Sequence, residues 1–112
     1  VRPAGRALRL SIFVGESDRW RHRSLYTEIA RRAHKAGLAG ATAIRGIEGF
    51  GASSRIHTKH LFRLSNDLPV LIVIIDAEDR IRGFLPQLDD LNIGGLVMLD
   101  EVHVVKYTAD RR

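Results

Sequence analysis

The chain contains no cysteine among its 112 residues. That excludes disulfide scaffolds, thiolate nucleophiles and every cysteine-ligated metal. Aromatic rings are scarce: one tryptophan, two tyrosines and four phenylalanines. Proteins that grip single-stranded nucleic acid interleave such rings with basic residues, and this chain does not, so nucleic acid is not an expected partner. Long apolar runs are missing too. The longest, Leu68 to Ile75, falls far short of the roughly 20 residues that cross a bilayer. The arginines near the start, Arg2, Arg6 and Arg9, precede no apolar stretch of the signal-peptide kind. The resulting expectation is a cytoplasmic protein.

Acidic charge is also in short supply, with 13 Asp and Glu against 18 Lys and Arg, a net of +5. The imbalance is local. Residues 1–35 hold nine basic and three acidic side chains, whereas residues 76–112 hold five and eight. A field of this kind favours anionic partners: phosphorylated small molecules, nucleic acid or an acidic membrane face. What remains is ordinary globular composition, 45% apolar and 28% charged, which argues against wholesale disorder. The length predicts a single domain, residues 1–112.

Residues 7–14 predict a first strand, because Leu8, Leu10, Ile12 and Val14 alternate with Arg9, Ser11 and Phe13. Gly15 to Asp18 reads as a polar turn. Ser24 is placed to cap a helix to about Ala36, with Leu25, Ile29 and Ala33 on its buried face and Arg31, Arg32 and Lys35 off it. Gly37 then serves as a left-handed cap with Leu38 closing the contact. Ala41 to Phe50 predicts a glycine-punctuated second strand. Residues 51–67 read as a long loop or a flexible hairpin extension, a length usually functional or disordered. Pro69 opens an apolar central strand through Ile75. Asp76 to Asp79 predicts an acidic helix start, explained by capping alone, and the helix continues to Leu91 with a bend at Pro86. Leu96 to Tyr107 predicts a last strand, broken by a bulge at Asp100-Glu101.

The order strand, helix, strand, strand, helix, strand gives an α+β fold. Its economical form is a ferredoxin-like βαββαβ sandwich, a four-stranded antiparallel sheet with both helices on one face. The other sheet face then stays bare although the central strand is apolar on both sides. Another copy of the chain is the expected cover.

A run of motifs carries a family resemblance. They are Gly15-Glu16-Ser17-Asp18, the segment Gly40-Ala41-Thr42-Ala43-Ile44-Arg45-Gly46-Ile47-Glu48-Gly49-Phe50-Gly51, His57, Asp67-Leu68-Pro69-Val70 leading to Asp76, and Gly95-Leu96-Val97. Together they resemble the DUF190 family, relatives of the PII (GlnB-like) signal-transduction proteins. The resemblance implies a non-enzymatic regulatory homotrimer. It implies clefts between subunits that bind a small anionic effector, an adenine nucleotide such as AMP, ADP, ATP or cyclic AMP, with no required cofactor. It further implies that residues 51–67 act as an effector loop reporting to a membrane transporter, among them fluoride-exporting channels, at the inner face of the membrane.

Carried over by residue, Gly49-Phe50-Gly51 resembles the Gly-Phe-Gly at the base of the PII loop. Gly94 and Gly95 resemble the glycines before the last PII strand, without the phosphate-binding lysine found there. A monophosphate or cyclic nucleotide needs fewer cations. The loop has no tyrosine, so tyrosine modification of the PII kind is not expected.

Each candidate has a plainer alternative. Gly46, Gly49 and Gly51 bring backbone amides to a ligand, or else allow strand twist and subunit contact. Arg45 and Arg55 fork onto phosphate, or pair with an acid such as Glu48. His57 contacts an effector or partner, or is an uncommitted loop residue. His57 and His60 lack the further ligands a metal needs, so neither a metal nor a catalytic group is expected. Glu16 and Asp18, beside Arg19, Arg21 and Arg23, read as salt-bridge partners rather than an acid–base pair. Trp20 packs over the helix start, stacks on a base or lies at an interface. His22 and His34 read as surface groups and His103 as an interface residue. Two other functions stand beside the effector reading: an adaptor trimer that binds a membrane protein with no small ligand, and a small enzyme on the same fold.

Overall fold

Alternation of apolar residues makes strand β1, Gly5–Gly15, which buries Leu8, Leu10, Ile12 and Val14 on one face. The computed structural model describes residues 5–49 and 68–108. After β1 the chain forms a short hairpin, β2 (Arg19–Trp20) and β3 (Arg23–Ser24), which sequence patterning did not predict. Its turn places Arg21 at φ 56°, a left-handed conformation. Helix α1, Leu25–Lys35, follows. Ser24 does occupy the N-cap but makes no side-chain capping bond. Instead Leu25 N–H donates to the Asp18 carbonyl at 2.8 Å.

The end of α1 is a Schellman motif. Gly37, at φ +79°, donates to His34, and Leu38 donates back to Ala33. Strand β4 is Ala41–Arg45, shorter than the expected 41–50, and all five residues are exposed. Strand β5, Pro69–Asp76, alternates buried and half-buried residues. Helix α2 spans only Glu78–Phe84. A 3-10 helix, Leu85–Leu91, continues it, with Pro86 in its first positions. There the missing amide hydrogen of proline costs no internal bond. Strand β6, Leu96–Val104, closes the fold. The expected bulge at Asp100-Glu101 is absent: the register runs unbroken, Arg9 opposite Asp100 and Leu8 opposite Glu101. Those acids sit mid-strand because β1 offers them cations, with Arg9–Asp100 at 2.6 Å and Arg6–Glu101 at 2.8 Å.

The four long strands form one antiparallel sheet in the order β4-β5-β1-β6. This is the ferredoxin-like arrangement that the sequence predicts. Leu8, Leu10, Ile12 and Val14 of β1 and Val70, Ile72 and Ile74 of β5 meet Leu25, Ile29 and Ala33 of α1, together with Ile81, Phe84, Leu88 and Leu91. Among the described residues no helix covers the opposite sheet face. Register places Phe13, Leu71, Val73, Ile75, Ile44, Leu96 and Met98 there, and Ile44, Leu96 and Met98 are each 42% exposed or more.

Two buried acids organise the helical layer. Glu28 is fully buried and accepts from Arg23, Arg31 and Arg32. Arg32 also forks onto Asp90, at 2.5 and 3.1 Å. It is therefore not the surface residue its helix position predicts; only 13% of its side chain is exposed. The hydrogen bond from Arg31, reinforced by Arg32, holds the Glu28 carboxyl down at about 2 against the cost of burial. Asp76, expected as a helix cap, is also fully buried. The N-cap is Ala77. Asp76 accepts from Ala39 N–H at 2.9 Å, Ala77 N–H at 2.7 Å and Arg80 at 3.2 Å, while Arg80 also donates to the Gly37 carbonyl. One carboxylate thus fastens the end of α1 to the start of α2.

Candidate functional site

Antiparallel order brings four strand termini to one end of the sheet: the end of β1, the end of β4, the start of β5 and the start of β6. Each predicted site residue among the described residues lies at this end. Gly46 N–H donates to the Pro69 carbonyl at 2.7 Å, and Glu16 N–H donates to the Leu68 carbonyl at 2.7 Å. A Cβ on Gly46 would stand 3.2 Å from both the ring and the carbonyl of Pro69, so the absence of a side chain lets β4 run close beside β5. Gly49 takes φ +140°, a conformation that L side chains rarely adopt. Between them Ile47 is 85% exposed.

Arg45 lies within 3.4 Å of Glu16, so its acid partner is Glu16 rather than Glu48. Both groups keep substantial exposure, 59% for Arg45 and 28% for Glu16. Such a pair contributes little to stability, and its guanidinium stays open to solvent anions. Asp18 is engaged internally, accepting from Gly15 N–H at 2.9 Å.

Gly94 and Gly95 lie at the other edge. A Cβ on Gly95 would collide with the Phe13 carbonyl oxygen, so this glycine has a packing reason of its own. The structure therefore gathers Arg45, Gly46 and Gly49 in one group and Gly94 and Gly95 in another. β5 and β1 lie between the groups, three strand spacings or roughly 14 Å. Phe50, Gly51, Arg55 and His57, with His60 and the expected loop 51–67, lie outside the described residues. Among the described residues no three metal-ligating side chains converge.

Sequence reasoning missed the hairpin and what surrounds it. Trp20 packs against the core, with the Arg21 and Arg32 guanidinium carbons 4.3 and 4.8 Å from its ring centre. Beside it lies an open cleft of about 370 Å³, reaching from Arg19 and Arg21 to Asn92 and Gly94. The clue available in sequence was Glu28 with Arg31 and Arg32 at three and four residues' distance, a spacing that makes ion pairs on a helix.

Residues 7–104 match the pattern of the DUF190 family, described as an uncharacterized ACR. A UPF0166 protein of Aquifex aeolicus (strain VF5) is 36% identical over 96 residues, 86% of this chain and 90% of the relative. A UPF0166 protein of Methanocaldococcus jannaschii is 34% identical over 98 residues, 87% of this chain and 90% of the relative. In fold the chain is similar to CPII from Thiomonas intermedia K12. CPII bound to ADP, AMP and acetate matches with a TM-score of 0.62 at 18% identity, over 91% of each chain. CPII bound to ADP and bicarbonate gives 0.57 at 17% identity, over 90% of each. Its apo form, a nitrogen regulatory PII-like protein, gives 0.56 at 16% identity, over 87% of this chain and 89% of CPII. At these identities the likeness establishes a shared PII-like fold.

Proposed function

The chain belongs to the DUF190 family, and from that premise we propose that it is a non-enzymatic, PII-like regulatory protein. Its effector is a small anion, an adenine nucleotide, bound in clefts between subunits of a homotrimer. The observation that carries this reading is the placement of the two glycine groups. Arg45, Gly46 and Gly49 stand at the β4 edge and Gly94 and Gly95 at the β6 edge, too far apart to share one small ligand within a subunit. Side-by-side packing of copies can bring one edge against the other. The apolar sheet face supplies the driving force for that packing, since Leu71, Val73, Ile75, Phe13, Leu96 and Met98 lie on the face that no helix covers among the described residues. The likeness in fold to CPII, whose structures hold ADP, supports adenine as the base.

On this reading residues 1–112 form one domain with its core in 7–107, and segment 51–67 is the effector loop. Arg55 and His57 of that loop meet the ligand or the target, with Phe50 and Gly51 at its base. The target is a membrane transport protein such as a fluoride-exporting channel, and the protein works in the cytoplasm at the inner membrane face.

The test is calorimetric titration of the purified protein with AMP, ADP, ATP and cyclic AMP, with and without magnesium. Saturable binding near one ligand per subunit is expected. Heat with none of them would overturn the effector reading in favour of an adaptor without a small ligand.

A further inference from the structure

Arginines of the β2–β3 hairpin stand at the cleft beside Trp20. Arg19 and Arg21 line it with Asp18 and Asp90, and Arg23, Arg31 and Arg32 meet on the buried Glu28, Arg32 reaching Asp90 as well. The acids are committed. Glu28 is shared among Arg23, Arg31 and Arg32, Asp90 is held by the Arg32 fork, and Asp18 accepts from Gly15 N–H. The surplus cations are at the rim. The Arg19 side chain is exposed and makes no ion pair or hydrogen bond with another described residue. Arg21 is also exposed and lies over the Trp20 ring.

The cleft is also lined by Asn92 and Gly94. Asn92 is left-handed, at φ 54°, and the chain then turns through Gly94 to the packed Gly95. The floor is apolar, Leu25 and Leu91. A volume of about 370 Å³ lies within the range of small-molecule sites. The Arg19 fork, without a partner among the described residues, and the Arg21 fork, which rests on the Trp20 ring and acts on Asp90 through space, stand over a half-apolar floor and suit an anionic group on a larger body; the fork geometry favours phosphate.

We infer that the cleft between the β2–β3 hairpin and the Asn92–Gly94 turn binds a phosphate group, with Arg19 and Arg21 as its cationic ligands. This rests on the effector reading and extends it: the hairpin holds the phosphoryl end of the effector, at the side of the Gly94–Gly95 turn. The glycine turn itself contains no cation, and the hairpin beside it provides two.

Trp20 is the only tryptophan of the chain and lines the cleft, so its fluorescence reports occupancy directly. The full chain is titrated with inorganic pyrophosphate, which does not absorb where indole does, and by calorimetry with ADP. The test variant is Arg19→Gln with Arg21→Asn, because Asn tolerates the left-handed turn. The control is Arg82→Gln with Lys106→Gln, which removes two positive charges elsewhere. Melting temperature confirms that each variant is folded.

The expected result is a saturable change in Trp20 emission with pyrophosphate, weakened at least tenfold in the hairpin variant and unchanged in the control. ADP affinity falls in parallel. If ADP binds the hairpin variant as tightly as the parent, the effector reading stands and the hairpin site is wrong. If pyrophosphate binds through the arginines but no adenine nucleotide binds, the hairpin site stands and the adenine reading is wrong. If neither ligand binds, or the control weakens pyrophosphate equally, the site is overturned.

Discussion

Gly95 lies against the Phe13 carbonyl so closely that a methyl group on Gly95 would overlap that oxygen. The contact sits where β6 begins to pair with β1, Phe13 opposite Leu96. A Gly95→Ala variant must push the start of β6 away from β1. The expected cost is about 1–3 kcal/mol, as for other overpacked sites, read as a lower midpoint in urea unfolding. An unchanged midpoint would mean that the turn relaxes freely.

Glu28 makes stability depend on pH in a definite direction. Its carboxyl falls from the usual 4.5 to about 2 in the fold, through the bond from Arg31 and then those from Arg32. A depressed acid stabilises the fold above its unfolded value and ceases to do so as pH falls through the folded one. The contribution is therefore complete above about pH 5 and lost between there and about pH 2. Arg23 and Arg31 are half exposed, which limits it to about 2 kcal/mol. Unfolding free energies from pH 7 to 2.5 should drop less steeply for Glu28→Gln than for the parent. Equal slopes would sink the assignment.

Patterning made the sheet and its order legible because burial follows period. Leu8 to Val14 and Val70 to Ile74 alternate, and Leu25, Ile29 and Ala33 recur at four. What escaped was polar. Asp100 and Glu101 looked like a break because their cations, Arg9 and Arg6, lie more than ninety residues earlier, and only register reveals such a pairing. Asp76 looked like a cap because its nearest sequence neighbours are helical, whereas one of its bonds reaches back to Ala39. Of the site, Gly46 and Gly95 were legible as glycines of note, Gly95 through the family resemblance, but their close approaches to Pro69 and Phe13 were not. Their placement on opposite edges required the topology.

The sheet face predicts the assembly. Val73 lies near the middle of the helix-free face, opposite Thr42 and Ser11. Val73→Lys and Leu71→Asp each place a charge in the proposed interface, where it would be buried without a partner. Light scattering should show a trimer for the parent and monomers for both variants. A parent that is monomeric would remove the inter-subunit cleft.

Arg45 and Arg55 separate binding from stability. The Arg45–Glu16 pair is exposed, so Arg45→Ala should change unfolding free energy by under about 1 kcal/mol. Nucleotide affinity should nevertheless fall severalfold in Arg45→Ala and in Arg55→Ala, with the oligomer intact. Unchanged calorimetric affinity would remove that arginine from the site.

The two borders of the sheet are secured unequally. β6 pairs with β1 over nine residues and is laced by Arg6–Glu101 and Arg9–Asp100. β4 pairs over five, exposes all five, and among the described residues pairs with β5 alone. Amide protons in β4 will therefore exchange with deuterium well before those of β1 and β5, through openings far smaller than global unfolding. The fold thus has a hem that lifts, and Gly46 and Gly49 lie at its end. Whatever binds there meets the part of the protein that yields first, and holding that hem down requires only a fraction of the whole stability.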